Sequence, residues 1–286
     1  MIFSRIGIVI GTQKGGTTSL FHYLSQHPQV AASKVKETDF FLRDERWEKG
    51  IDHYESLYEW NPERHFTAFE ASPNYTFSLD NARKVIQRMK TVEVDYKFIY
   101  VLRDPIKKIE SMRKHGTYKG WYAPHLKQET PNSVPPTVIE SVKYAAILDA
   151  FVNSFSREQI LLIKTSDLKS EHISSTLSEK VCPFLEIDPS FEFATEKTYN
   201  TQNSYRNDTI WHALRESNYL NPIKNVFPDV IKNKARNLLT KPLKKDNKVP
   251  ALTDGQKSFI RTALRDDSLR LRDEYSFDMS SWDMNA

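Results

Sequence analysis

The sequence predicts an α/β fold, a central parallel sheet of about five strands flanked by helices. Three observations carry that expectation. The segments Ile6–Ile10, Tyr96–Leu102 and Gln159–Lys164 are short, mostly apolar runs rich in β-branched or aromatic residues, as in strands buried on both faces. Stretches with apolar residues at helical spacing alternate with them, so crossover connections and parallel pairing follow. The first run also passes through a glycine-rich turn, Gly11–Gly16, directly into a helix start at Thr17.

Taken in order, the first helix runs from Thr17 to Ser25 and is ended by Pro28, and Gln29–Ser33 reads as a short strand. Lys36–Phe41 places charges beside two phenylalanines, and Ile51–Tyr58 reads as helical. Thr67–Glu70 is a further strand; Ala71–Tyr75 is its exit turn, because Pro73 biases the preceding residue away from helix. Leu79–Met89 has the period of a helix. After Tyr96–Leu102, the sequence Arg103-Asp-Pro105 opens a helix to about Lys119, with proline in its favoured first turn. Gly120–Pro136 lacks an apolar period and reads as a surface loop; Val138–Phe155 reads as one continuous helix. Beyond Gln159–Lys164 the chain is helix-rich to Leu185 and polar from Phe191 to Lys248. In that polar part Asn200–Tyr219 and Lys232–Leu239 have helical character. An amphipathic helix over Leu252–Tyr275 follows, with Trp282 near the end. No repeat or second-domain boundary stands out, so residues 1–286 read as a single domain.

Composition narrows the function. Hydrophobic residues make up 39% and charged residues 27%, the balance of a globular protein. The net charge of +4 suits an anionic ligand and is too small to imply nucleic-acid binding. Cys182 is the only cysteine, which excludes an intrachain disulfide and a cysteine-rich metal site. No run approaches the roughly 18 apolar residues of a membrane span, and Met1–Arg5 is too short for a signal peptide, so a cytoplasmic protein is expected. Oligomeric state is open.

The turn after the first strand carries the chemistry. Strand, glycine-rich loop and helix N-terminus form an anion cradle, because backbone N–H groups converge where the helix dipole favours negative charge. A nucleotide triphosphatase loop beginning at Gly11 would place its lysine at position 17. Thr17 stands there instead, and the lysine comes three residues earlier, at Lys14. The cation therefore enters from the loop, which argues against a γ-phosphate site.

The stretch Thr12-Gln-Lys14-Gly15-Gly16-Thr17-Thr18-Ser19-Leu20 resembles the 5′-phosphosulfate loop of sulfotransferases that use 3′-phosphoadenosine 5′-phosphosulfate (PAPS). Its continuation, Leu24-Ser-Gln-His-Pro28 and Lys36-Glu37-x-x-Phe40-Phe41, is similar to the heparan-sulfate N- and 3-O-sulfotransferase type and its bacterial relatives. The resemblance implies the P-loop NTPase-like sulfotransferase fold. It also implies transfer of a sulfuryl group from PAPS to an acceptor hydroxyl or amine, without a required metal, leaving 3′,5′-adenosine bisphosphate.

On that resemblance Lys14 meets the charge on the leaving phosphate, and Gly15, Gly16, Thr17, Thr18 and Ser19 hold the 5′-phosphate. Arg103 and Ser111, in Arg103-Asp-Pro-x5-Ser111, match the 3′-phosphate motif, and Arg103 leaves a strand at the ligand edge of a parallel sheet. An ion pair with Asp104 is the plainer alternative for Arg103. Glu37 matches the catalytic base, with Lys36 lowering its basicity and burial against Phe40 and Phe41 restoring it. His115, one helical turn after Ser111, matches a functional histidine of the N-sulfotransferase branch; His22 and His27 read as structural. Lys244 and Lys245 fall where relatives close a loop over the cofactor. Glu70-Ala71-Ser-Pro-Asn-Tyr75 departs from the family's Glu-Lys-Ser/Thr-Pro-x-Tyr pattern, since Ala71 replaces its lysine. A carbohydrate is the first choice of acceptor, with a small alcohol or lipid next. A P-loop kinase or NTPase, and a non-catalytic nucleotide- or polyanion-binding protein, are the alternatives.

Overall fold

The computed structural model describes residues 1–119, 129–195 and 251–284, with the side chains of 116–119 excepted. Five strands form one sheet: β1 (Arg5–Gly11), β2 (Val30–Ala32), β3 (Thr67–Ala71), β4 (Asp95–Leu102) and β5 (Ile160–Lys164). Their order across the sheet is β2-β3-β1-β4-β5, and every neighbouring pair is parallel. Among the described residues the main helices are α1 (Thr17–Leu24), α2 (Asp44–Trp47), α3 (Gly50–Glu55), α4 (Leu79–Met89), α5 (Pro105–Lys119), α6 (Pro136–Glu140), α7 (Tyr144–Val152) and α8 (Asp254–Asp273). A broken helical run from Ile173 to Leu185 precedes α8.

Strand alternation sorts the core into two layers. Ile6, Ile8 and Ile10 of β1 join Phe98, Tyr100 and Leu102 of β4 in a cluster with Phe41, Tyr54, Val85, Leu148 and Leu264. Val9, Phe69, Ala71, Ile99 and Val101 face the other way, against Leu20, Leu24, Leu177 and Leu185. Both faces are covered, which is why the strands read as unbroken apolar runs rather than alternating ones.

The strands and the helix over Leu79–Met89 fall where the sequence places them. Two expectations change. The continuous helix over Val138–Phe155 is instead α6 and α7, separated at Ser141–Lys143. Asp267 of α8 accepts hydrogen bonds from Ala145 N (3.1 Å) and Ala146 N (2.9 Å), so α7 has its own N-terminus, capped from a distant helix. The described end of the expected loop Gly120–Pro136 is also more ordered than a surface loop. Thr130 and Ser133 close a tight turn, Val134 is buried and Pro136 opens α6. Asn200–Tyr219, Lys232–Leu239, Lys244 and Lys245 lie outside the described residues. No helix among the described residues is long and apolar enough to cross a membrane.

Candidate active site

The loops leaving β1 and β4 are neighbours at the C-terminal edge of the sheet, where parallel sheets place ligands. Gly11 ends β1 in close quarters: a Cβ there would lie 1.9 Å from Thr76 Oγ1 and 2.8 Å from the Tyr100 ring. Thr12 N then donates to Val101 O (2.9 Å), and Gly15 N donates back to Thr12 O (3.0 Å), closing the turn. Lys14 has φ 63° and Gly16 φ 99°, so the loop passes twice through left-handed backbone. A lysine in that region is strained, as residues at functional sites often are.

The loop's carbonyls are committed away from its mouth. Arg103 Nη1 donates to Lys14 O (2.5 Å), Thr165 Oγ1 lies 3.0 Å from Gly15 O, and Leu20 N donates to Gly16 O (3.2 Å). The first-turn N–H groups of Thr17, Thr18 and Ser19 have no carbonyl within α1 to bond. Gly16 supplies no side-chain cap, and the first turn holds no acidic residue. The result is a donor-rich, positively polarised pocket. The space beside it is tight, since a Cβ on Gly15 would meet Thr12 O at 2.9 Å and Val101 O at 3.2 Å. These features fit a phosphate group approaching the backbone closely.

Arg103 does not take the carboxylate partner nearest in sequence. Asp104 instead accepts from Lys107 N (3.1 Å) at the start of α5 and from Asp283 N (2.9 Å). The Arg103 guanidinium is half-buried, and that burial holds its pKa below the usual arginine range. Ser111 and His115 lie four residues apart on α5, both half-buried. A cavity of about 640 Å³ opens beside the loop, and Gln13, Lys14, Arg43, Asn74, Lys84 and His115 contribute to its wall.

Glu37 is placed differently from its expected burial. Phe40 and Phe41 turn into the core, where Phe40 stacks on Tyr54 at 4.4 Å, and leave Glu37 exposed. Its carboxylate pairs with Lys36 Nζ at 2.6 Å and is not among the groups lining the cavity. The backbone is nevertheless at the ligand edge, because Lys36 O accepts from Ala71 N (3.3 Å) at the end of β3. Ala71 is fully buried against the α1 layer. His27 is structural: Nε2 faces Asp188 O at 3.0 Å, which requires the proton there, and Nδ1 accepts from Gln29 N.

Behind the loop lies a carboxylate network, to which the Glu70–Tyr75 segment contributes Glu70, Ser72 and Tyr75. Glu70 is fully buried and takes hydroxyl donors from Thr38, Ser72 (2.7 Å), Tyr54 (2.9 Å) and Tyr75 (3.1 Å). Burial pushes its pKa up, and those four donors oppose the shift. Asp39, 5% exposed, takes both Nδ2 bonds of Asn74 (3.1 and 3.0 Å), and Gln13 Nε2 donates to Asn74 Oδ1 (2.5 Å). The available signal was Pro73-Asn74 at the exit of a buried strand on the ligand edge.

Comparison with known proteins agrees with this arrangement. Residues 7–224 match the family model described as a sulfotransferase domain. The chain is 27% identical over 221 residues to the mouse bifunctional heparan sulfate N-deacetylase/N-sulfotransferase 4, covering 69% of this chain and 24% of that protein. It is 28% identical over 200 residues to mouse heparan sulfate glucosamine 3-O-sulfotransferase 5, covering 64% of this chain and 53% of the relative. The chain thus spans from about a quarter to about half of these relatives' lengths. Among solved structures, a sulfotransferase from Alicyclobacillus acidocaldarius superposes with a TM-score of 0.61 at 20% identity, over 96% of this chain and 97% of that one. That likeness shows the fold, the P-loop-like sulfotransferase arrangement. With more than half its length matched by the family model, and the glycine-rich loop, parallel sheet and α5 in the order described above, the chain belongs to the sulfotransferase domain family.

Proposed function

We propose that the chain transfers a sulfuryl group from PAPS to a hydroxyl or amine of an acceptor, with a carbohydrate as the first choice. The observation that carries the reading is the loop whose carbonyls are drawn back by Arg103, Thr165 and Leu20 while Lys14 stands at the cavity wall. PAPS supplies the activated sulfuryl group. Gly16, Thr17, Thr18 and Ser19 hold the 5′-phosphate through backbone N–H and hydroxyl groups, Gly15 shapes the turn with its own N–H bonded to Thr12 O, and Arg103 with Ser111 takes the 3′-phosphate. The acceptor oxygen or nitrogen forms its bond to sulfur as the bond from sulfur to the 5′-phosphate oxygen breaks. Lys14 meets the charge left on that oxygen.

Glu37 receives the acceptor's proton and His115 donates to the sulfuryl oxygens. For this, the Glu37 carboxylate leaves Lys36, a small cost for an exposed ion pair, typically about 0–1 kcal/mol. The relatives named for heparan sulfate support a carbohydrate acceptor. A kinase or NTPase reading is not favoured, since Thr17 stands where that loop needs lysine.

The test is ligand-dependent stability followed by turnover. Adenosine 3′,5′-bisphosphate without metal should raise the unfolding temperature, and a hundredfold excess over its dissociation constant adds about 2.7 kcal/mol. PAPS with a saccharide panel should then yield a sulfated product. Stabilisation by ATP with Mg²⁺ but not by the bisphosphate would overturn the proposal.

A further inference from the structure

We infer that Asp39 is a positioning residue which, through Asn74, fixes the amide of Gln13 with its carbonyl oxygen available to the acceptor. This rests on the sulfuryl transfer proposed above, with the cavity beside Lys14 taken as the acceptor's place. A carboxylate has only acceptor atoms, so the Asn74 amide must turn its NH₂ towards Asp39, as its two bonds of 3.1 and 3.0 Å show. Asn74 Oδ1 then faces the other way and accepts from Gln13 Nε2. That bond orients the second amide in turn, leaving Gln13 Oε1 at the end away from Asn74. Gln13 and Asn74 both line the cavity with Lys14. The polarity of a cavity group is therefore set two residues away by a buried charge.

Asp39 is well anchored for this. Its backbone N–H donates to Ser72 Oγ (3.0 Å), and Ser72 Oγ donates on to Glu70. Its φ of 44° is a left-handed conformation that aspartate tolerates better than most residues. The charged groups around it are Glu37, Arg46 and Arg43, the last with Nε 3.8 Å from Asp39 Oδ2. Burial raises the Asp39 pKa, and the Asn74 bonds oppose that shift. A protonated Asp39 could donate to Asn74 Oδ1, which would permit both amides to reverse.

Asp39→Asn keeps the shape and removes the forced polarity. In the protein without ligands, the side-chain amide NMR resonances of both Asn74 and Gln13 should shift in this variant. The bisphosphate dissociation constant should stay within about twofold. The acceptor KM should rise about tenfold, the factor for losing one hydrogen bond of roughly 1.4 kcal/mol. The double variant Asp39→Asn, Asn74→Asp places the carboxylate one step nearer and again compels Gln13 to donate, so KM should return towards wild type. Unmoved Gln13 resonances in Asp39→Asn would overturn the inference whether or not sulfotransfer is observed. So would a double variant no better than the single one. Failure of the wider functional reading is seen separately, as absence of bisphosphate binding by the wild-type chain.

Discussion

Lys108 on α5 is fully buried, with Nζ donating to Ser141 O and lying 5.3 Å from the Tyr144 ring centre. Burial, reinforced by the nearby Arg103 charge, pushes its pKa down from 10.5 to about 7. Between those values the unfolded chain binds more protons than the folded one, so this residue makes stability rise with pH. Below about 7 both states are protonated and the slope vanishes. Lys108→Met should be more stable than wild type at pH 7, with the gap narrowing by up to about 1.4 kcal/mol per pH unit as pH rises. Urea midpoints of both proteins at pH 7, 8 and 9 measure this; a gap independent of pH would refute it. Glu37→Gln should lose about a hundredfold to ten-thousandfold in turnover at saturating cofactor, with bisphosphate affinity nearly intact. If His115→Ala is inactive while Glu37→Gln keeps more than about a tenth of the rate, the histidine is the base. Lys14, Gly16 and Arg103 were legible because strand, loop and strand end fix their places locally. The burial of Lys108 and the outward turn of Glu37 were not, since each is decided by packing from remote segments.

At the scale of elements, the strands and the glycine-rich turn after β1 follow from local pattern, whereas the division between α6 and α7 does not. Val138–Phe155 has one helical period, and nothing within it marks a stop. The interruption is produced by two distant side chains: Lys108 takes Ser141 O, and Asp267 caps Ala145 and Ala146. Asp267 itself is held above the usual carboxylate pKa by burial, with those backbone donors opposing the shift. Asp267→Ala should cost about 1–2 kcal/mol, the range for losing an N-cap. Hydrogen exchange should show faster opening at Ala145 and Ala146, while β1 amides exchange no faster than the global loss of stability requires. Equal acceleration throughout would mean that the cap has no local role. The same reasoning explains the Asp39–Asn74–Gln13 chain, whose members lie on three segments and share no sequence motif.

Across the whole molecule, the last described segment returns to the β4–α5 junction, where Arg103 stands. Trp282 is buried, with its ring 5.9 Å from that of Tyr144, whose hydroxyl donates to Arg103 O at 2.7 Å. Asp283 N donates to Asp104, and Arg270 of α8 binds Asp149 of α7 through two contacts of 2.7 and 2.8 Å. Trp282→Ala should cost about 3–5 kcal/mol in urea unfolding. It should also weaken bisphosphate binding measured by calorimetry, although Trp282 is not among the residues lining the cavity. A stability loss with unchanged affinity would show that this buttress does not reach the site. The capping of α7 by Asp267 has a consequence for synthesis. Domains begin to fold from the N-terminal side while translation continues, and here the whole sheet emerges before Asp254–Asp273 does. Until that segment leaves the ribosome, the nascent chain exposes the uncapped start of α7 and the apolar surface that Ile260, Leu264 and Leu271 will cover. A pause in translation before residue 254 would therefore prolong the interval in which a chaperone finds a binding site.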